Sequence, residues 1–141
     1  MKILNKLAYL VLIGVFFLLA YIGYYFFYPF KVIDIKNSPY PVITKQVKAG
    51  EDLIFHVEFC KYMSVPSKTT LQLVDGVIIS LESMSAGSSP EGCYDVNVSQ
   101  TIPALIKPGF YKLRITADHE IHPVLRTVRV QAETQVFEVV E

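Results

Sequence analysis

Hydrophobic positions follow two different patterns along this chain. From Leu7 to Phe30, "LAYLVLIGVFFLLAYIGYYFFYPF", 24 residues pass without a charge between Lys6 and Lys31. A bilayer core takes about 20 apolar residues as a helix, so this run predicts one membrane-spanning helix. Tyr24, Tyr25, Phe26, Phe27, Tyr28 and Phe30 crowd its end, where aromatic rings suit the membrane–water interface, and Pro29 discourages further helix. After Lys31 the apolar residues alternate with polar ones in short runs. Period-two alternation predicts strands with one buried face.

The clearest strand is "LIFHVEFCKY" (53–62), in which Leu53, Phe55, Val57 and Phe59 alternate with Ile54, His56, Glu58 and Cys60. "KVIDIKN" (31–37) and "VITKQVK" (42–48) precede it. "KTTLQLV" (68–74) and "VIISLE" (77–82) flank Asp75-Gly76, a favoured two-residue hairpin turn. "SMSAGSSPEG" (83–92) has loop composition, and "CYDVNVSQTI" (93–102) places Tyr94, Val96 and Val98 on an apolar face. "FYKLRITAD" (110–118) buries Tyr111, Leu113, Ile115 and Ala117, and "HEIHPVL" (119–125) links it to the last long run. There Val128, Val130 and Ala132 share one parity, while Phe137 and Val139 take the other. The change predicts a bulge or kink near Glu133 to Gln135.

These elements divide the chain into a short basic N-terminus (1–6), a transmembrane signal-anchor helix (7–30) and one β domain (31–141). A cleaved signal peptide is the rival for the helix. Its small-residue cleavage pattern is missing, since Leu18 and Tyr21 stand two positions before Ala20 and Gly23. About seven strands joined by short turns predict an antiparallel β-sandwich. "VKAGEDLIFHVEFC", followed by "IKPGFYKLRI", resembles immunoglobulin-like and fibronectin-type sandwiches, with Pro108, Gly109 and Tyr111 matching the element that opens their penultimate strand. The short anchor, "CKY", "PGFYKLRI" and the terminal "FEVV" together resemble small membrane-anchored proteins of unknown function in tailed phages. That resemblance implies no catalytic residues.

The fold class expected is therefore all-β, an immunoglobulin- or fibronectin-like sandwich behind one transmembrane helix. Within it, Cys60 shares parity with His56 and Glu58, and Cys93 with Asp95, Asn97 and Ser99. Both thiols face outward. Taken as neighbouring antiparallel strands, the end of one run lies beside the start of the other. Cys60 and Cys93 are thus expected to form a disulfide on the outer face of one sheet, unlike the intersheet bridge of antibody domains. Such bonds persist in oxidising compartments, which places the domain outside the cytoplasm and the N-terminus inside. Lys2 and Lys6 against Lys31 and Lys36 leave the flanking charges almost balanced, so they do not set the orientation alone.

Charge and motifs narrow the functional classes. Thirteen basic and thirteen acidic residues give no net charge, and no electrostatic footprint for nucleic acid. No phosphate-binding loop, dinucleotide fingerprint or nucleophile elbow occurs. His56 and Cys60 lie about 13 Å apart along an extended strand, too far for a nucleophile–base pair. Glu58 has no acidic partner in the expected strand pairing. "DHEIHP" (118–123) offers His119, Glu120 and His122, with Asp118, as a weak divalent-metal set, against a plain solvated connection turned by Pro123. Lys112 and Arg114 share the outward face of one strand, Arg129 has outward parity on the strand expected beside it and Arg126 lies near that strand's start; together the four form a candidate basic binding patch. Cross-strand pairing to Glu133 or Asp118 is the alternative use of the same cations. The function expected is a non-enzymatic, cofactor-free, membrane-anchored interaction module that binds an envelope protein or surface ligand. The alternatives are a structural subunit of a membrane or virion assembly, and a metal-dependent enzyme.

Overall fold

A computed structural model describes residues 2–86, 88–122 and 124–141. Helix α1 runs Lys2–Phe27. Its stretch Lys6–Phe27 has a mean hydropathy of 2.3, and most of its side chains are exposed, the contacts with the rest of the chain lying at its C-terminal end. By length and composition the helix can cross a membrane. It ends where expected: the Tyr28 amide still donates to the Tyr24 carbonyl at 3.0 Å, and Pro29 follows.

Among the described residues nine strands follow: β1 Ile33–Ile35, β2 Gln46–Lys48, β3 Asp52–Lys61, β4 Ser67–Asp75, β5 Val77–Ala86, β6 Gly92–Thr101, β7 Gly109–His122, β8 Arg126–Glu133 and β9 Phe137–Val140. One sheet is β1-β3-β6, antiparallel throughout. The other runs β2-β9-β7-β4-β5, with β8 also paired to β7. It is mixed, because β2 lies parallel to β9. The two sheets stack into an open, sandwich-like β domain.

The buried core comes from the parities the alternation predicts. Leu53, Phe55 and Val57 of β3 meet Leu71 and Leu73 of β4, Tyr111 and Leu113 of β7, and Phe137 and Val139 of β9. The parity change after Ala132 has a definite cause. β8 pairs with residues 114–122 of β7, whereas β9 pairs with Gly109–Tyr111 of the same strand. Between them the chain takes bonds from elsewhere. The Tyr40 amide donates to the Glu133 carbonyl, and the Gln135 amide donates back to Tyr40, both at 2.8 Å. Thr134, wholly buried, seals the break: its amide donates to the Leu113 carbonyl and its hydroxyl accepts from the Leu113 amide.

Several local expectations are corrected. The polar run 83–86 continues β5 rather than looping out, because residues 67–70 of β4 supply backbone partners. Only Gly76 separates the paired Asp75 and Val77, at φ +64°, a conformation that favours glycine. Residues 119–122 extend β7 rather than connecting two strands, paired to β8 through a register shift near Glu120. The turn assigned to Pro123 lies outside the described residues. Val96 and Val98 do share the parity of Tyr94 on β6, yet they remain 41% and 36% exposed. The opposing sheet does not reach over that edge.

Candidate functional site

The two sheets do not close completely. A cavity of about 410 Å³ lies between them, within the size range of small-molecule sites. Phe55, Val57 and Phe59 line it from β3, Leu71 from β4, Ile115 and Ala117 from β7, and Val130 and Ala132 from β8. Val98 of the uncovered β6 edge belongs to the same lining.

Two basic side chains interrupt this largely apolar surface. Lys61 follows Leu53, Phe55, Val57 and Phe59 in parity and so points inward; it is 4% exposed. His119 follows Tyr111, Leu113, Ile115 and Ala117 for the same reason and is also 4% exposed. Both line the cavity. Lys61 Nζ donates to the Ser89 hydroxyl at 2.8 Å, and among the described residues it has no carboxylate partner. Neither ring nitrogen of His119 has any hydrogen-bond partner among the described residues. Burial, and then the Lys61 charge, push the His119 pKa below the ordinary histidine value, with Asp118 opposing. A buried polar group without a partner is costly, so this pair is the least explained part of the interior. The expected inward faces end at Phe59 and Ala117, so Lys61 is not anticipated, and His119 is anticipated only as an exposed metal ligand and not as a buried side chain. The signal was present: each is the next in-phase position of an apolar run.

The predicted metal set is not brought together. Asp118, His119 and Glu120 are successive positions of a strand and alternate between its faces. Asp118 pairs with Arg129, His119 is buried, and His122 meets the helix. The candidate basic patch is likewise dispersed. Arg114 Nη2 lies 2.8 Å and Lys112 Nζ 3.9 Å from the Glu133 carboxylate. Arg129 grips Asp118 through two hydrogen bonds and holds that carboxyl below its usual pKa. These are the cross-strand pairs that sheet geometry favours. Arg126 instead turns to the end of α1, where its Nη1 donates to the carbonyls of Tyr25, Phe26 and Tyr28 at 2.8–3.0 Å. Beside it the His122 ring centre is 4.8 Å from that of Tyr25, and its Nε2 is 3.2 Å from the Tyr21 hydroxyl.

Cys60 and Cys93 are bonded, opposite one another in the register of β3 and β6. Their face holds a second polar group that the sequence did not announce. Contrary to the expectation of no acidic partner, Glu58 stands opposite Asp95. His56 Nε2 lies 3.2 Å from Glu58 and 3.3 Å from Asp95, and its Nδ1 is 3.0 Å from the Asn97 side-chain oxygen. The hydrogen bond to Asn97, then that to Glu58, and the nearby carboxylate charges raise the His56 pKa. Donor atoms of His56, Glu58 and Asp95 fall within 4.8 Å of one another, types that a divalent cation also accepts. A protonated imidazole serves the same two carboxylates without one.

No protein-family model matches the chain, and no curated protein matches its sequence. Among solved structures it is similar to the Pseudomonas fluorescens alkylpurine DNA glycosylase AlkC bound to DNA containing an abasic site analog. The TM-score is 0.39 at 13% identity, over 79% of this chain and 31% of that one. The chain thus spans about a third of the glycosylase. It is also similar to the CARDB domain of a Pyrococcus furiosus protein in complex with di-metal ions. There the TM-score is 0.37 at 11% identity, over 74% of this chain and 96% of the other.

Proposed function

We propose that this chain is a single-pass membrane protein whose β domain sits against the extracytoplasmic face of the bilayer and acts there by binding. The carrying observation is the disulfide-bonded domain set directly on a membrane-length helix. Only residues 28–32 separate α1 from β1, and Arg126 ties the domain to the last carbonyls of the helix. The Cys60–Cys93 bond supports the oxidising side of the membrane for the domain, and hence the cytoplasm for the N-terminus.

The sandwich is read here as immunoglobulin-like. In that scheme β1-β3-β6 correspond to strands A, B and E, and β2-β9-β7-β4-β5 to A′, G, F, C and C′. The Tyr111 hydroxyl, early in β7, donates to the Lys107 carbonyl four residues upstream at 2.9 Å, as in the tyrosine corner of such domains. In the tailed-phage setting that the sequence resemblance implies, the domain would act on the host envelope.

Topology and redox state are tested together. Intact cells are treated with a membrane-impermeant maleimide, with and without reductant. Labelling that requires reductant is the expected result. Labelling only after permeabilisation, without reductant, would overturn the arrangement.

A further inference from the structure

The cavity between the sheets has the chemistry of a ligand site rather than of a packing defect. Its walls are mostly apolar, yet one end carries Lys61 and His119, each at least nine-tenths buried, and among the described residues Lys61 has no acidic partner and His119 no hydrogen-bond partner. A ligand that satisfied them would bring one anionic head, accepting hydrogen bonds from the ammonium and from an imidazole N–H, and one apolar body for the remainder. The end in question is also the end near the membrane. Lys61 pairs with Ile33, just beyond α1, and the Tyr62 amide donates to Val32. His119 lies three residues before His122, which contacts Tyr21 and Tyr25 of the helix.

We propose that this cavity binds a single long-chain carboxylate taken from the bilayer. Its acyl chain would lie among Phe55, Leu71 and Val130, and its head group on Lys61 and His119. The proposal rests on the membrane-surface placement of the domain for the source of the ligand. Charge complementarity selects this occupant: a neutral or cationic amphiphile leaves the buried lysine unmatched, and a small anion leaves the apolar walls empty. Burial and then the neighbouring Lys61 lower the His119 pKa in the empty cavity, which favours a neutral ring with one donor and one acceptor.

The test uses the full chain in phosphatidylcholine nanodiscs, exposed to palmitate bearing a diazirine at its terminal carbon. Crosslinked residues are mapped by mass spectrometry. Crosslinks within α1 report insertion of the helix into the bilayer; crosslinks at Phe55 and Leu71 report the cavity. The two readings therefore fail separately. The expected result is saturable crosslinking at Phe55 and Leu71. It should drop at least tenfold in Lys61→Met, which keeps the side-chain volume and removes the charge. It should drop equally in Ala117→Trp, which fills the cavity. Hexadecanol carrying the same diazirine should label the cavity at least tenfold less than palmitate. Val130→Trp replaces Ala117→Trp should the latter lose the cooperative melting transition of the wild type. Absence of cavity crosslinks in the wild type, unchanged yield in either variant, or equal yield from the alcohol would each overturn the proposal, whatever α1 shows.

Discussion

Glu58 stands directly opposite Asp95 across β3 and β6, and His56 Nε2 lies within 3.3 Å of both carboxylates. Like charges at facing positions destabilise a sheet, so the imidazolium between them offsets the repulsion and leaves the three groups with a single net negative charge. Folding raises the His56 pKa. Its stabilising contribution is therefore fully present below the unfolded value near 6.5 and is lost as the pH rises through the higher folded value. Thermal melts of wild type and His56→Gln between pH 5 and 9 should differ most at the acid end and converge at the alkaline end. A difference that stays constant across this range would contradict the proton-bridged arrangement.

The disulfide closes a loop with a sequence separation of 33. In the chain-entropy model this stabilises by about 3–4 kcal/mol through the unfolded state. Cys60→Ser/Cys93→Ser should lose roughly that amount in urea unfolding, with reduced wild type behaving alike. A loss well under 1 kcal/mol would mean that the unfolded chain is already restrained without the bond.

Where an element depends on side-chain parity, it was legible in the sequence. Leu53, Phe55 and Val57 face the core, Cys60 and Cys93 face out, and the parity change after Ala132 marks the break at Thr134. Where an element depends on a partner strand, it was not. Residues 83–86 and 119–122 are polar enough for loops, and only β4 and β8 beside them make them strands. The same distinction explains the sites. Three cations of the candidate basic patch instead make the cross-strand pairs that were its alternative, because Glu133 and Asp118 lie on the same strand pair. The burial of Lys61 and His119 was not foreseen because an apolar run is read as ending at its first polar residue, although strand geometry carries the inward phase one step further.

Thr134 is wholly buried, and its hydroxyl accepts the Leu113 amide at 3.0 Å where the edge switches from β8 to β9. Thr134→Val keeps the shape and orphans that amide. The expected cost is about 1–3 kcal/mol, the desolvation penalty of an unpaired buried donor. Thr134→Ser, which retains the acceptor, should cost less than the valine variant in the same denaturant titration. The reverse order would show that methyl packing, not the hydrogen bond, holds the junction.

Two tyrosines donate to carbonyls four residues upstream: Tyr111 to Lys107 at 2.9 Å and Tyr94 to Pro90 at 2.7 Å. Tyr111 is buried, while the Tyr94 bond is exposed to solvent. The first bond is part-buried, so water replaces the second more readily. Tyr111→Phe should therefore destabilise by about 0.5–1.5 kcal/mol, and Tyr94→Phe by less. Chemical unfolding of the two variants side by side checks the order. Equal losses would show that burial does not govern these bonds.

Arg126 joins the two halves of the molecule, its guanidinium donating to the carbonyls of Tyr25, Phe26 and Tyr28. Carbonyls at a helix C-terminus lack intrahelical donors, and a cation there is worth about 1 kcal/mol. Arg126→Ala should therefore raise amide exchange across residues 24–30 by roughly fivefold. Tryptic cleavage after Lys31 should quicken in step. Melting of the β domain should barely change, because the β7–β8 pairing that carries Arg126 is backbone-bonded on its own account. Arg126→Lys keeps the charge but loses the planar guanidinium that lies over the Phe30 ring, so it should fall between the two. Loss of domain stability without faster exchange at the helix end would assign Arg126 to the sheet rather than to the junction.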